Sequence, residues 1–266
     1  MSQLPLDGKR VLVTGGLGGL GWATALAFLS EGARVAVTDK RTPTDPMSPH
    51  HKEHLRGYVE IVSGQILYVQ ADITWVREVE RAVNVVADSF GGIDYLVLTA
   101  AVGANLDAEA GRTIVCQSCL EYDEKDFDLV MDINLMGSLR FIKYTVPHMP
   151  ASIESAIVSV TSEFADGKAP YAVAYTAAKA ALSAVGTSLA YDTQILPRRS
   201  VVLAPGPINA PMLHTNPKAE EEVRKGTTLG RWAEPEEIAK IITTICEVPA
   251  LQGTVVKADC GFLMRA

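Results

Sequence analysis

A tyrosine and a lysine one helical turn apart are the residues of this sequence best suited to moving a proton. Tyr175 and Lys179 lie in the stretch 174–192, whose apolar spacing predicts a helix, and positions i and i+4 share a helix face. A free tyrosine hydroxyl has a pKa near ~10, which is too high for a base at neutral pH. A cation held beside the phenol would stabilise the phenolate and lower that pKa. This spacing alone arises often by chance, so the neighbouring residues decide its meaning.

Two other polar side chains are placed where they could join this pair. Ser162 lies thirteen residues before Tyr175 and ends the run 157–162, which predicts a buried strand. The carboxyl ends of parallel strands face the ligand crevice of an α/β sheet, so the Ser162 hydroxyl is expected beside that crevice. Asn134 lies in the helical stretch 126–148 that precedes this strand. These residues and the pair form the candidate catalytic set.

A glycine-rich turn, residues 14–21, follows the first predicted strand and precedes a helix that is expected to begin near Trp22. Without side chains the backbone can approach a pyrophosphate, which then meets the N–H groups and the positive dipole end of the helix. Two glycine registers fit. The general G-x-G-x-x-G spacing uses Gly16, Gly18 and Gly21. The G-x-x-x-G-x-G spacing uses Gly15, Gly19 and Gly21. The turn therefore predicts a dinucleotide site, and a turn without a ligand is the alternative.

An acidic residue, Asp39, ends the second predicted strand. A carboxylate ~20 residues beyond such a glycine turn accepts hydrogen bonds from the ribose hydroxyls and repels a 2′-phosphate, so it favours NAD over NADP. Lys40 and Arg41 follow at once and could pair with that phosphate, which leaves NADP as a weaker alternative. Asp39 could also simply cap a turn.

Short apolar runs alternate with helical patterns along the whole chain. Seven runs predict buried parallel strands, at 10–14, 34–38, 65–70, 95–99, 155–161, 200–203 and 254–257. The clearest helix would carry on one face Val76, Val79, Val83, Val86 and Phe90. This alternation predicts an α/β fold, a single-domain Rossmann-type, doubly wound parallel sheet of about seven strands.

The composition excludes several classes of function. The chain has 266 residues, 48% of them hydrophobic, so residues 1–266 can bury one full core. Acidic residues outnumber Lys and Arg by 31 to 24, so there is no basic surface for DNA or RNA. Four cysteines make no disulfide framework. No cleavable signal and no run of ~18 apolar residues is visible, so a cytoplasmic protein without a membrane partner is expected.

Taken together, these motifs resemble the short-chain dehydrogenase/reductase family over essentially the whole chain. The resemblance implies an oxidoreductase that moves a hydride between NAD and a secondary alcohol or carbonyl compound, including cyclic or polyhydroxylated alcohols. It implies that Tyr175 is the general acid/base and that Ser162 holds the substrate oxygen. Lys179 would bind the nicotinamide ribose and depress the pKa of Tyr175, while Asn134 would bind a water that relays the proton.

The same resemblance selects the second glycine register and implies a wider set of cofactor contacts. These are Gly15, Gly19, Leu20, Gly21, Asp39, Asp72, Ile73, Thr99, Ala100, Tyr175, Lys179, Pro205 and Ile208. Asp72 and Ile73 match the family's adenine contact, and Pro205 opens its nicotinamide-binding turn. The resemblance also implies a substrate lid near 207–230 and a homodimer or homotetramer formed through 126–148 and 174–192. No metal is expected.

The sequence departs from the family's pattern in one short segment and at two single positions. Residues 98–101 replace its usual Asn-Asn-Ala-Gly, although Thr99 could supply one of the lost hydrogen bonds. Ala210 stands where a threonine usually bonds the carboxamide, and Cys260 where glycine is frequent. One lost hydrogen bond costs roughly 0.5–1.5 kcal/mol, which weakens cofactor binding without abolishing it. These departures keep a non-catalytic NAD-binding sensor or scaffold as an alternative, and an isomerase or lyase that uses bound NAD is another.

Several segments outside this pattern bear on the substrate or on metals. Substrate specificity is expected from 163–170, from the lid around 212–214 and from the insertion 102–120; the charges in the first of these, Glu163, Asp166 and Lys168, favour a polar substrate. A second insertion covers 41–57. Two groups are better interpreted as ordinary loop residues. Cys116 and Cys119 have the spacing of half a zinc site or a redox pair, and His50, His51 and His54 could bind a metal.

Overall fold

A parallel sheet runs through the centre of the protein. The computed structural model describes residues 4–42, 63–103, 119–167, 172–210, 221 and 225–262. Within these residues the sheet has seven strands in the order β3-β2-β1-β4-β5-β6-β7, and every neighbouring pair is parallel. The strands are Arg10–Thr14 (β1), Arg34–Asp39 (β2), Ile66–Gln70 (β3), Tyr95–Leu98 (β4), Ala156–Val160 (β5), Arg199–Pro205 (β6) and Val255–Ala258 (β7). The predicted fold class is confirmed, with strand ends that differ by a residue or two.

Helices cover both faces of this sheet. They are Gly19–Ser30 (α1), Val76–Phe90 (α2), Glu124–Met131 (α3), Ser138–Thr145 (α4), Val173–Leu189 (α5) and Pro235–Glu247 (α6). A π turn at Asp132–Gly137 joins α3 to α4, and short 3-10 helices lie at Val146–His148 and Glu163–Asp166. Among the described residues, no helix is both long and apolar enough to span a bilayer.

Successive residues of each central strand face opposite apolar layers. Val13 of β1 packs with Phe28 of α1 and with Ile242 of α6 on one face of the sheet. The preceding residue, Leu12, faces the other layer and packs with Val83 of α2. Burying a side chain of this size stabilises the fold by about 1.5–3 kcal/mol. Because both faces are covered, the strands are continuous apolar runs rather than alternating ones.

The helices differ from the predictions in three details. Helix α1 begins at Gly19 rather than near Trp22, because the N–H of Trp22 already donates to the carbonyl of the N-cap residue Gly18. The stretch 126–148 is helical throughout, as predicted, but it contains a π turn and ends in a 3-10 turn. On α2 the predicted apolar face is buried at its centre, but Val76, the first helical residue, is 44% exposed. Most of the insertions 41–57 and 102–120 lies outside the described residues.

Candidate active site

The glycine turn between β1 and α1 is packed too closely for side chains at three positions. Gly15 has φ +65°, and a Cβ there would lie 2.7 Å from Cα of Ala100. A Cβ on Gly16 would lie 2.3 Å from Cβ of Val37, and one on Gly21 would lie 2.2 Å from the Gly15 carbonyl oxygen. These contacts bring the backbone of the turn against the ends of the strands. Of the two predicted registers, only the second contains the positive-φ residue Gly15.

The start of α1 fits an anionic ligand. Gly18 is its N-cap and supplies no side-chain hydrogen bond to the first helical N–H groups. The first turn of α1 carries no acidic residue that would repel an anion. Helix N-termini with free N–H groups bind phosphates, so the turn and α1 have the shape and polarity that a pyrophosphate requires.

The Asp39 carboxylate is fixed beside this turn. It is 8% exposed and accepts a 3.1 Å hydrogen bond from the backbone N–H of Leu17. Arg41 donates to it from its backbone N–H and from Nε, each at 3.1 Å, and from Nη2 at 3.2 Å. The acid and the neighbouring cation therefore form one ion pair at the end of β2.

The predicted adenine contact lies just after β3. The Asp72 carboxylate accepts hydrogen bonds from the Thr74 N–H at 2.8 Å and from its hydroxyl at 2.7 Å. The Asp72 N–H donates to Glu78 at 2.8 Å, which joins this turn to α2. Ile73 packs so closely on the π turn that a Cβ on Gly137 would lie 2.3 Å from its Cγ1.

The unusual residues after β4 are hydrogen bonded to β1. The Thr99 hydroxyl donates to the carbonyl of Thr14, and the N–H of Ala100 donates to the Thr14 hydroxyl at 3.2 Å. Thr99 thus supplies a hydrogen bond across the centre of the sheet, as expected. The same residues close one side of the glycine turn.

The phenol, amine and serine of the candidate catalytic set converge at the carboxyl end of β5. Ser162 follows β5 by two residues, and its side chain is near enough to the Tyr175 hydroxyl to lower the pKa of that phenol. Lys179 Nζ donates a 3.0 Å hydrogen bond to the carbonyl of Val160, the last residue of β5. The same Nζ lies 5.7 Å from the centroid of the Tyr175 ring. Proton transfer at one substrate oxygen is the chemistry that this arrangement permits.

Burial dominates the electrostatics of this cluster. It raises the pKa of Tyr175 to about 12, and the negative charge of Glu163 adds to that effect, while the nearby Ser162 side chain lowers the pKa of the phenol. Burial also lowers the pKa of Lys179 to about 8. Lys179 is not among the groups that shift the pKa of Tyr175 in the protein chain alone, so the expected depression of that pKa with cofactor bound stays a prediction. The ammonium is held at the Val160 carbonyl, where it does not offset the desolvation of the phenol.

Asn134 lies in the π turn and is fully buried. Its Oδ1 accepts from the N–H of Val102 at 2.8 Å, and its Nδ2 donates to the Val102 carbonyl at 3.0 Å. The π turn packs against α5, the helix of the candidate acid–base pair. Asn134 thus supports the segment that follows β4, and its role in a water relay stays a prediction.

The predicted nicotinamide turn follows β6. Pro205 is the last residue of that strand, and the Gly206 N–H donates to the Ala258 carbonyl at 3.0 Å. A Cβ on Gly206 would lie 2.6 Å from Cα of Asp259. Ile208 forms a parallel bridge with Ala233. The turn therefore lies at the carboxyl ends of the strands, as Ser162 does. Lid residues 211–220 and 222–224 lie outside the described part of the chain.

Sequence reasoning did not predict several contacts in this site. Glu163 was expected to influence the substrate, but its contact with Ser162 was not foreseen, although the two are adjacent in sequence. The ion pair of Arg41 with Asp39 was also missed, because a sequence does not show which way consecutive charged side chains turn.

No group of three or more His, Cys, Asp or Glu that could hold a metal occurs within the described ranges. Cys116 and the three histidines at 50, 51 and 54 lie outside those ranges, and Cys119 is an exposed free thiol.

Comparison with known proteins gives a consistent match over the chain. Residues 15–263 match a family model described as enoyl-(acyl carrier protein) reductase. The chain is 30% identical to 3-oxoacyl-[acyl-carrier-protein] reductase of Thermotoga maritima, over 97% of this chain and 99% of the relative. It is 31% identical to 3-hydroxyacyl-CoA dehydrogenase type-2 of Drosophila melanogaster, over 95% and 96%. A short-chain dehydrogenase of Burkholderia cenocepacia, solved in complex with NADP, shares the fold with a TM-score of 0.79 at 24% identity, over 97% of this chain and 98% of that one.

Proposed function

This chain belongs to the short-chain dehydrogenase/reductase family of oxidoreductases, and from that membership we propose that it moves a hydride between NAD and a secondary alcohol or carbonyl compound. The observation that carries the proposal is the convergence of Ser162, Tyr175 and Lys179 at the carboxyl end of β5. The second support is the glycine turn, whose close backbone contacts fit a dinucleotide.

The chain's own residues would handle the proton and the substrate oxygen. In oxidation the Tyr175 phenolate would accept the hydroxyl proton of the alcohol, and in reduction the phenol would return it. Ser162, whose side chain lies near the Tyr175 hydroxyl, would hold the same oxygen. A bound nicotinamide ring supplies the acceptor or the donor of the hydride. Lys179, fixed at Val160, would bind the ribose and place a positive charge near the phenolate.

The choice of NAD rests on Asp39. Its buried carboxylate is fixed beside the glycine turn, where it would accept hydrogen bonds from ribose hydroxyls and repel a 2′-phosphate. Arg41 partly neutralises that carboxylate, and its guanidinium is the group that NADP would use. The preference for NAD over NADP therefore depends on whether the adenosine ribose contacts the Asp39 carboxylate or the Arg41 guanidinium.

The remaining parts of the proposal concern the whole molecule. We infer one domain over residues 1–266 with a substrate lid near 207–230, and a homodimer or homotetramer. The substrate is a small alcohol or carbonyl compound rather than a nucleic acid, and the location is cytoplasmic. The net charge of -7 supports the exclusion of nucleic acid.

The direct test follows the absorbance of the reduced nicotinamide while the protein meets a panel of secondary alcohols with NAD or NADP. We expect turnover with NAD and its loss in Tyr175→Phe, which keeps the ring but lacks the acid–base hydroxyl. Tyr191→Phe is a matched control, since Tyr191 is 79% exposed. Cofactor binding without turnover over the whole panel would overturn the proposal in favour of a sensor.

A further inference from the structure

Glu163 is a carboxylate in contact with Ser162 of the candidate catalytic set, and the proposed mechanism does not use it. It directly follows Ser162, whose Oγ donates to its Oε2 over 3.4 Å. Its charge also reaches the Tyr175 hydroxyl, whose pKa it raises. The side chain therefore borders the position where the substrate oxygen would bind.

The surroundings of Glu163 give it no cation partner within the described residues. The charge of Glu163 helps to raise the pKa of Lys257 of β7, but the Lys257 ammonium is paired with Asp166. Asp259, which follows β7, and Asp166 both add negative charge around Glu163. Burial is the largest effect and raises the pKa of Glu163 to about 7. A partly buried carboxylate without a cation costs free energy, so a donor brought by a ligand would stabilise it.

We propose that Glu163 is a specificity-determining residue that accepts a hydrogen bond from a donor on the substrate carbon next to the reacting carbon. The inference rests on the proposed oxidoreductase function. Because Ser162 and Glu163 are consecutive and in contact, a substrate oxygen held by Ser162 has its neighbouring substituent within reach of the carboxylate. The substrate class is therefore a vicinal diol or a 2-amino alcohol, with the corresponding ketones.

The acidic surroundings narrow this class further. With Glu163, Asp166 and Asp259 around one lysine, the group carries excess negative charge. A carboxylate or phosphate on the neighbouring carbon would be repelled, whereas a hydroxyl or an ammonium group would donate. Both of these groups are hydrogen-bond donors, and the experiment below distinguishes the neutral hydroxyl from the charged ammonium.

The test compares three substrates of nearly equal size: cyclohexanol, cis-cyclohexane-1,2-diol and 2-aminocyclohexanol. It measures kcat/KM at a pH above the Glu163 pKa of about 7, so that the carboxylate is ionised. We expect the wild type to prefer one or both donor-bearing substrates over cyclohexanol by ~10-fold or more, since a site built for a donor discriminates against its absence. In Glu163→Ala the ratio should fall towards one.

A second variant separates charge from hydrogen bonding. Glu163→Gln keeps an acceptor oxygen, so a preference for the diol should survive, whereas a preference for the amino alcohol should fall. The near-isosteric glutamine also keeps the test open if the alanine variant does not fold. Asp88→Ala, which removes an exposed acid on α2, should leave every ratio unchanged.

The outcomes distinguish the two proposals. Turnover with the same donor preference in Glu163→Ala as in the wild type overturns the inference alone. A wild type that turns over all three substrates equally well also overturns the inference about Glu163 alone. Absence of turnover with every alcohol and either cofactor overturns the oxidoreductase function and, with it, the inference that depends on it.

Discussion

The ammonium group of Lys179 donates a 3.0 Å hydrogen bond to the carbonyl of Val160, and this bond joins helix α5 to strand β5. The side chain is 3% exposed, and burial lowers its pKa to about 8. The amine is thus a fixed part of the fold as well as a member of the candidate catalytic set. Its protonation state couples the stability of the protein to pH.

We expect Lys179 to make the free energy of unfolding rise with pH between about 8 and the lysine reference value of 10.5. In this window the unfolded chain holds a proton that the folded protein has released, so deprotonation favours the folded state. The contribution is about 3 kcal/mol, because each pKa unit between the folded and unfolded values is worth about 1.4 kcal/mol. Urea unfolding of wild type and Lys179→Met over this range measures it as the pH dependence of their difference.

The control for that experiment is Lys143→Met, because Lys143 is an exposed lysine on α4. Its difference from wild type should stay constant with pH. A constant difference for Lys179→Met as well would show that the folded and unfolded pKa values of Lys179 are equal.

The fold could be predicted because burial on both faces makes each central strand a continuous apolar run. Val35–Val37 and Ile157–Val158, for example, are apolar at successive positions, and the structure places every one of them in the core. Strand ends could not be predicted as well. Strand β6 extends to Pro205 because that residue pairs with Ala258 of β7, and apolar spacing does not show such a pairing.

Other features depend on contacts that a sequence does not show. Arg199 would be expected at the surface, yet it is 2% exposed and donates to carbonyls at the end of α6, including those of Ile245 and Cys246. The π turn around Asn134 was not predicted. It lies within continuous helical backbone, and no particular residue type marks it. The candidate catalytic motif was visible in sequence, whereas the partners that set its electrostatics were not.

Replacing Glu163 with glutamine should shift the pH profile of alcohol oxidation towards lower pH. A negative charge near Tyr175 opposes formation of the phenolate, so removing it lowers the Tyr175 pKa. Below the Glu163 pKa of about 7 the acid is neutral in the wild type, so the two profiles should converge there and separate above it. The measurement is kcat/KM for cyclohexanol against pH. Asp88→Asn should follow the wild-type profile, and a shift of Glu163→Gln to higher pH would contradict the prediction.

Cofactor selectivity should depend on the ion pair of Asp39 with Arg41. We expect Asp39→Asn to raise the ratio of kcat/KM with NADP to that with NAD by ~10-fold or more, because it removes repulsion of the 2′-phosphate and releases the guanidinium. Adding Arg41→Ala to that variant should reverse the gain. Lys143→Ala, which removes an exposed charge on α4, is the control. An unchanged ratio in Asp39→Asn would remove the basis for the choice of NAD.

The tightest point of the glycine turn should be the most sensitive to an added methyl group. In Gly21→Ala the new Cβ would lie 2.2 Å from the Gly15 carbonyl oxygen, so the turn or α1 must move, at a cost of about 1–3 kcal/mol. In Gly18→Ala the Cβ would lie 3.1 Å from the same oxygen, which a small adjustment can relieve. We therefore expect Gly21→Ala to weaken NADH binding, measured by quenching of tryptophan fluorescence, far more than Gly18→Ala does. Equal Kd values for both variants would mean that the close contact does not govern the geometry of the cofactor site.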